Sequence, residues 1–196
     1  MSLAHARDWA ARVGPELRAD LGVMADPLRP AGAIGPGTMF VPEWNRIKLL
    51  TLRPDLRGRF AEFLARVCRP AFFPMAWDAA RTLERQTVLY ARGRAGPERR
   101  LPRVTWTIAS NHLWASAIDV IADGDTMTPE GEPTFALPRW WAREALPLAA
   151  KCGLRSLYLA TGKDAPHLEC RPADRHPRER AWARRLRREF VREWPR

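Results

Sequence analysis

Four residues of this chain have side chains suited to binding a divalent metal and moving a proton, and they lie in two short stretches. The first, SNHLWASAID (Ser110–Asp119), sets His112 seven residues before Asp119. The second, DAPHLE (Asp164–Glu169), follows about fifty residues later and sets Asp164 three residues before His167. Imidazole and carboxylate are good zinc donors. A catalytic zinc takes three protein ligands and keeps one position for water, whose pKa falls to about 7. His112, Asp119 and His167 could supply the three ligands, and Asp164 could reach the water and carry its proton to a leaving amine. Asp119 sits inside the apolar run AIDVIA, where an unpaired carboxylate is costly, so a metal or another strong partner is expected.

Blander roles compete for each piece taken singly. A lone His167 is more often a hydrogen-bonded core or surface residue. Cys170, three residues after His167, is an alternative soft ligand, but no second Cys has partner spacing. His5 and His176 fall in the terminal stretches, where solvation is the expectation.

Composition sets outer bounds. A chain of 196 residues with 46% hydrophobic content is long enough for one well-cored domain with terminal arms. No apolar run approaches the roughly 18–20 residues of a membrane helix. Residues 1–22 carry charges throughout and lack the apolar centre of a secretory signal, so synthesis in the cytoplasm without a signal peptide is expected. The net charge of +11 predicts attraction to polyanions: nucleic acid, anionic lipid or anionic cell wall. Three Cys without CxxC spacing argue for buried free thiols, not a disulfide framework.

These residues need elements to position them. Apolar spacing predicts a helix over 3–22, followed by a Pro/Gly-rich arm, so that 1–42 precede the compact domain at 43–171. Pro54 and the spacing of Leu56, Phe60, Phe63, Leu64 and Val67 predict a helix ended by Pro70 and Pro74. Residues 77–94 read as a helix of about four turns that Asp78 caps. Residues 104–110 and 116–123 read as strands, 140–151 as a helix kinked at Pro147 with Cys152–Gly153 closing it, and 154–160 and 166–170 as two more strands. The class is α+β, helices packed on a small antiparallel sheet. Residues 172–196 hold Trp182, Leu186, Phe190 and Trp194 at four-residue intervals among many Arg, predicting a basic amphipathic C-terminal helix.

Three motifs in order resemble the zinc D,D-carboxypeptidase and L-alanyl-D-glutamate endopeptidase family, in its phage-endolysin-like, cell-wall-hydrolase branch. The family's Ser-x-His-x-x-Gly-x-Ala-x-Asp is met by Ser110, His112, Ala117 and Asp119, with Ala115 at the Gly position. Its Asp-x-Pro-His-aromatic-Glu is met by Asp164, Pro166, His167 and Glu169, with Leu168 at the aromatic position. Upstream, RTLERQTVLYARGR supplies Arg81, Gln86, Leu89, Tyr90, Gly93 and Arg94 in the family's register. The likeness covers about residues 50–171; the Gly-Gly-x-Trp segment that often precedes the family's catalytic Asp is replaced by LYLATGK.

The resemblance implies the D-Ala-D-Ala carboxypeptidase or hedgehog-like zinc peptidase fold, with one Zn2+ on His112, Asp119 and His167. Asp164 would be the catalytic base and then acid. Arg81 would bind a substrate carboxylate or polarise the scissile carbonyl, with Ser110 and Gln86 as supporting or substrate contacts. The implied activity is hydrolysis of an amide bond in the peptidoglycan stem peptide by a phage endolysin or virion-associated lysin, which reaches the wall after a holin-type release or from a virion. LYARGR leans toward the L-alanyl-D-glutamate endopeptidase branch. A D-Ala-D-Ala carboxypeptidase is the alternative enzyme, and a phage tail component retaining the fold, docked on virion proteins, is the alternative from another class. The C-terminal helix would either bind anionic wall polymer or outer membrane or pack on the domain. The joint presence of three hydrolase motifs argues against a nucleic-acid binder.

Overall fold

The computed structural model describes residues 8–13, 43–70, 72–94, 100, 103, 105, 107–122, 125 and 135–193. They form an α+β arrangement of helices and one four-stranded antiparallel sheet. Two compact units result: the described residues of 25–80 and 115–174 make one, and those of 1–24, 81–114 and 175–196 the other. Among the described residues no helix is long and apolar enough to cross a membrane.

The first unit holds the sheet, in the order β1 (Pro74–Asp78), β2 (Ala117–Ala122), β4 (His167–Cys170), β3 (Leu154–Ser156). Alternation along the strands separates its two faces. Ile118, Val120, Leu168, Cys170 and Leu154 share one face. They are buried with Leu49 of α2 (Glu43–Leu50), Leu56, Phe60 and Phe63 of α3 (Pro54–Val67), and Leu146 and Ala149 of α5 (Leu146–Lys151). On the other face lie Asp119, His167, Glu169 and Arg155, where Asp119 pairs with His167 and Arg155 with Glu169 in the ladders.

Local chemistry explains the helices around the core. Pro54 opens α3, and Asp55 in its first turn and Arg66 in its last complement the helix dipole. Arg57, buried on the same helix, donates from Nε to Leu52 O at 2.9 Å and from Nη2 to Leu50 O at 2.7 Å, satisfying carbonyls where α2 ends. The outer edge of β1 is satisfied by Asn45. Its Nδ2 donates to Pro74 O at 2.8 Å, and its Oδ1 accepts from Ala76 N–H at 2.7 Å.

Several expected elements take a different form. The start of the expected helix at 77–94 is the end of β1, and the helix is the shorter α4 (Leu83–Ala91), capped by Thr82 Oγ1 accepting from Arg85 N–H. Asp78 therefore sits in a strand and is not the cap of α4. The stretch 154–160 divides at Ser156: β3 ends there, and the Ser156 hydroxyl caps α6 (Leu157–Thr161) by accepting from Leu159 N–H. The helix at 140–151 begins as a π turn, Trp141–Ala145, in which Leu146 N–H reaches Trp141 O. This wider turn lies just ahead of Pro147 and takes up the expected kink.

The second unit packs helical residues 8–13 (α1), α4, a 3-10 turn (Asn111–Trp114) and α7 (Pro177–Glu193). Its core joins Trp9, Val13, Leu83, Ile108, Leu113 and Trp114 to Trp182, Leu186 and Phe190 of α7. Trp9 and Tyr90 both meet the Phe190 ring edge-on, at 5.6 and 4.8 Å. The apolar stripe of the basic helix is thus packed; burying Leu186 and Phe190 contributes about 1.5–3 kcal/mol each. The rest of the expected 3–22 helix, the arm at 23–42 and Trp194 lie outside the described residues.

The expected strand at 104–110 is absent among its described residues, 105 and 107–110. Threonine hydroxyls there bond the local backbone. Thr105 Oγ1 donates to Thr107 O at 3.3 Å, and Thr107 Oγ1 accepts from Ala109 N–H at 3.1 Å. Such bonds compete with a strand ladder.

Candidate metal centre

His112 sits in the 3-10 turn that follows Ser110. The Ser110 carbonyl accepts from Leu113 N–H at 3.1 Å, and its hydroxyl accepts from His112 N–H at 3.4 Å. Arg81 N–H donates to His112 O at 3.0 Å. Directly after the turn, Ala115 adopts φ +51°, and the chain passes into β2. The period of β2 turns Asp119 away from the apolar core, and the β2–β4 register sets it opposite His167.

One donor atom from each of His112, Asp119 and His167 lies within 4.8 Å of the others, so this group could hold a metal ion. Zinc bonds of about 2.0–2.1 Å in a tetrahedron put neighbouring ligands about 3.3 Å apart, so small side-chain adjustments would close the set. Two imidazoles and a carboxylate form a donor set of the borderline character that zinc takes. His112 and His167 are 2% and 7% exposed, which keeps competing water away from the nitrogens.

Both ring nitrogens of His167 meet carboxylates. Its Nδ1 lies 2.9 Å from Asp119 Oδ1, and its Nε2 lies 3.3 Å from Glu169 Oε2. Glu169 is itself held by Arg155, whose Nη1 donates to Oε1 at 2.9 Å. Burial alone would lower the His167 pKa. Hydrogen bonds to Asp119 and Glu169, and the charges of Asp119 and Asp164, outweigh it and raise the value to about 10. Asp78 is the ladder partner of Asp119 on the opposite side and adds a further acid nearby. Two carboxylates beside a buried imidazole favour a cation there. A metal on the Asp119 side would take the proton's place, while Glu169 keeps Nε2–H oriented.

Asp164 is exposed and precedes β4 in a left-handed turn, φ +63°, a conformation that Asp tolerates better than most residues. Its carbonyl accepts from His167 N–H at 3.2 Å. The loop is pinned on two sides. Trp141 Nε1–H donates to Ala165 O at 3.0 Å, and Val120 N–H donates to Pro166 O at 3.1 Å. Trp141 is itself fixed in the core, edge-on to Phe63 at 5.8 Å.

Arg81 and Gln86 meet. Arg81 Nη1 donates to Gln86 Oε1 at 2.6 Å. Gln86 is fully buried, and its Nε2 donates to Thr107 O at 2.6 Å and Thr105 Oγ1 at 3.2 Å. The amide thus fastens the Arg81 guanidinium, and the Ser110 hydroxyl fastens the backbone of His112.

No family model and no curated protein matches this chain. The reading of the site therefore rests on its own geometry and on the order of the motifs.

Glu169, Arg155 and Trp141 were not assigned roles from the sequence. Glu169 could have been found, because it is two residues after His167 in a strand and so shares its face. Arg155 and Trp141 come from distant positions and carry no such signal. Cys170 lies on the opposite face of β4, buried in the core, and does not join the donor group. Cys152 is also a buried free thiol, whereas Cys68 is exposed.

Proposed function

We propose that this chain is a zinc-dependent peptidoglycan peptidase that hydrolyses an amide bond of the cell-wall stem peptide. The reading favours the L-alanyl-D-glutamate endopeptidase branch, acting as an endolysin or virion-associated lysin. The observation that carries it is the convergence of His112, Asp119 and His167 within 4.8 Å, with Asp164 three residues before His167. The family resemblance names these same residues, and residue spacing alone would not bring 112, 119 and 167 together.

Zinc, when bound, supplies Lewis acidity toward a water and a carbonyl oxygen. The chain's own residues do the rest. Asp164, exposed and close enough to act on His167 electrostatically, takes a proton from the attacking water and returns it to the leaving amine. Glu169 and Arg155 fix the His167 ring. Arg81, steadied by Gln86, presents a guanidinium to a carboxylate or carbonyl of the stem peptide. Ser110 holds the turn that carries His112. The α+β arrangement of helices on a four-stranded antiparallel sheet is compatible with the hedgehog-like zinc peptidase fold.

Mass spectrometry of muropeptides released from purified walls tests the reading. With zinc, new L-Ala and D-Glu termini are expected, and His112→Ala should release none. Release of single D-Ala would favour the carboxypeptidase instead. Uncut walls with zinc-loaded protein would leave the enzyme reading without support and favour a wall-binding or virion-structural role.

A further inference from the structure

Helix α7 carries more arginine than its packing uses. Arg185 is engaged: it lies over the Trp182 ring at 4.4 Å and pairs with Glu189. Arg180, Arg184 and Arg187 differ. They are exposed, and among the described residues none of them forms an ion pair. Their spacing sets them along one stripe of the helix, where like charges repel.

The stripe borders a cleft of about 180 Å³. Arg175, Arg180, Arg184 and Arg187 line it together with Asn111 and Trp114 of the 3-10 turn, and buried Glu179 is its one acid. Four guanidinium groups against one carboxylate leave an excess of three positive charges around a small concavity. The volume is below the roughly 300 Å³ at which whole small-molecule sites begin, so the cleft suits a compact group and not a large ring system. A lone carboxylate is saturated by a single arginine fork. A phosphate offers more oxygens and up to two charges, enough to engage several forks at once.

We propose that this cleft is a binding site for a phosphate group. Its residues are distinct from the donors of the metal centre, and it stands whether or not the peptidase reading does. The ligand is recognised through its phosphate oxygens by Arg180, Arg184 and Arg187. A soluble phosphate ester and a phosphomonoester lipid headgroup share that chemistry.

Calorimetric titration of inorganic phosphate into the full chain at constant ionic strength tests the site. Saturable binding of one phosphate is expected. Arg184→Gln should weaken it about tenfold, the worth of one charge-assisted contact. Arg188→Gln, on the same helix but outside the cleft lining, should leave it unchanged. A parallel arm with vesicles containing phosphatidic acid identifies the source: retention that Arg184→Gln abolishes points to a headgroup, and binding of free phosphate alone to a soluble ester. Absence of saturable binding overturns the proposal, as does equal weakening by both substitutions, which means diffuse attraction to the whole helix. Binding that neither substitution changes also overturns it, because the phosphate then sits elsewhere.

Discussion

Arg81 donates its backbone N–H to the carbonyl of His112 at 3.0 Å, so the arginine that opens the upstream motif is tied to the turn carrying a metal ligand. The two motifs are thirty-one residues apart in the chain, and this bond, with the Arg81–Gln86 contact, makes them one structure. Gln86→Leu should separate the functions of the two ends. It leaves the carbonyl of Thr107 and the Arg81 guanidinium without their buried amide, costing about 1–3 kcal/mol of stability. Peptide hydrolysis should fall about tenfold or more, with zinc content unchanged. Zinc analysis beside a hydrolysis assay checks this; parallel loss of metal and activity would show that Gln86 supports the ligand turn instead.

Glu169 holds the far nitrogen of His167, so its carboxylate should count in metal affinity without touching the metal. Glu169→Gln is expected to weaken zinc binding about 10–100-fold. Competition with a chromophoric chelator measures it. An affinity equal to that of the parent chain would mean that the 3.3 Å contact does not orient the ring.

The His167 proton links folding, metal and pH. In the metal-free protein its folded-state pKa of about 10 exceeds the ordinary 6.5. Its stabilising contribution is therefore fully present below about pH 6.5 and is lost as pH rises through about 10. Metal must displace that proton, so zinc affinity should rise with pH across the same window, with proton release on binding. Thermal unfolding of metal-free protein from pH 6 to 11, compared with His167→Gln, reads the first effect. Identical pH dependence in both proteins would remove His167 as its source.

Ala115 is fully buried at φ +51°, in the region where a Cβ crowds the following carbonyl. Ala115→Gly removes that clash, at the cost of a more flexible unfolded chain. A net gain of about 0.5–1 kcal/mol is expected, a rise of a few degrees in Tm for a chain of this size. The Ala115 carbonyl accepts from Arg53 N–H at 3.0 Å, and glycine retains that bond. Calorimetry would show a lower Tm if the turn relies on the methyl group for packing.

Much of the fold was readable where one local signal dominates. Pro54 and the apolar spacing marked α3, the alternating AIDVIA marked β2, and the four-residue recurrence of Trp182, Leu186 and Phe190 marked α7. Reading failed where two signals competed. Residues 77–82 are followed by good helix formers, yet Trp77 and Asp78 end β1, and Asp78 pairs with Asp119 of β2 past an irregularity at Trp77, because a sheet partner outweighs weak propensity. Residues 105–110 have strand-forming side chains, but the threonine hydroxyls satisfied the backbone locally.

The sequence by itself determined the chemistry available: two imidazoles, two acids and an arginine, in an order that names candidate ligands and a candidate base. Each lies in a short segment whose local period sets which side chains share a face. Tertiary structure alone decided that Asp119 and His167 face each other, because the β2–β4 register pairs residues that are 48 apart in the chain. It likewise assigned Glu169 and Arg155 to hold His167, and Trp141 to pin the loop of Asp164. Those contacts depend on strand pairing and core packing over long separations, which no local pattern encodes.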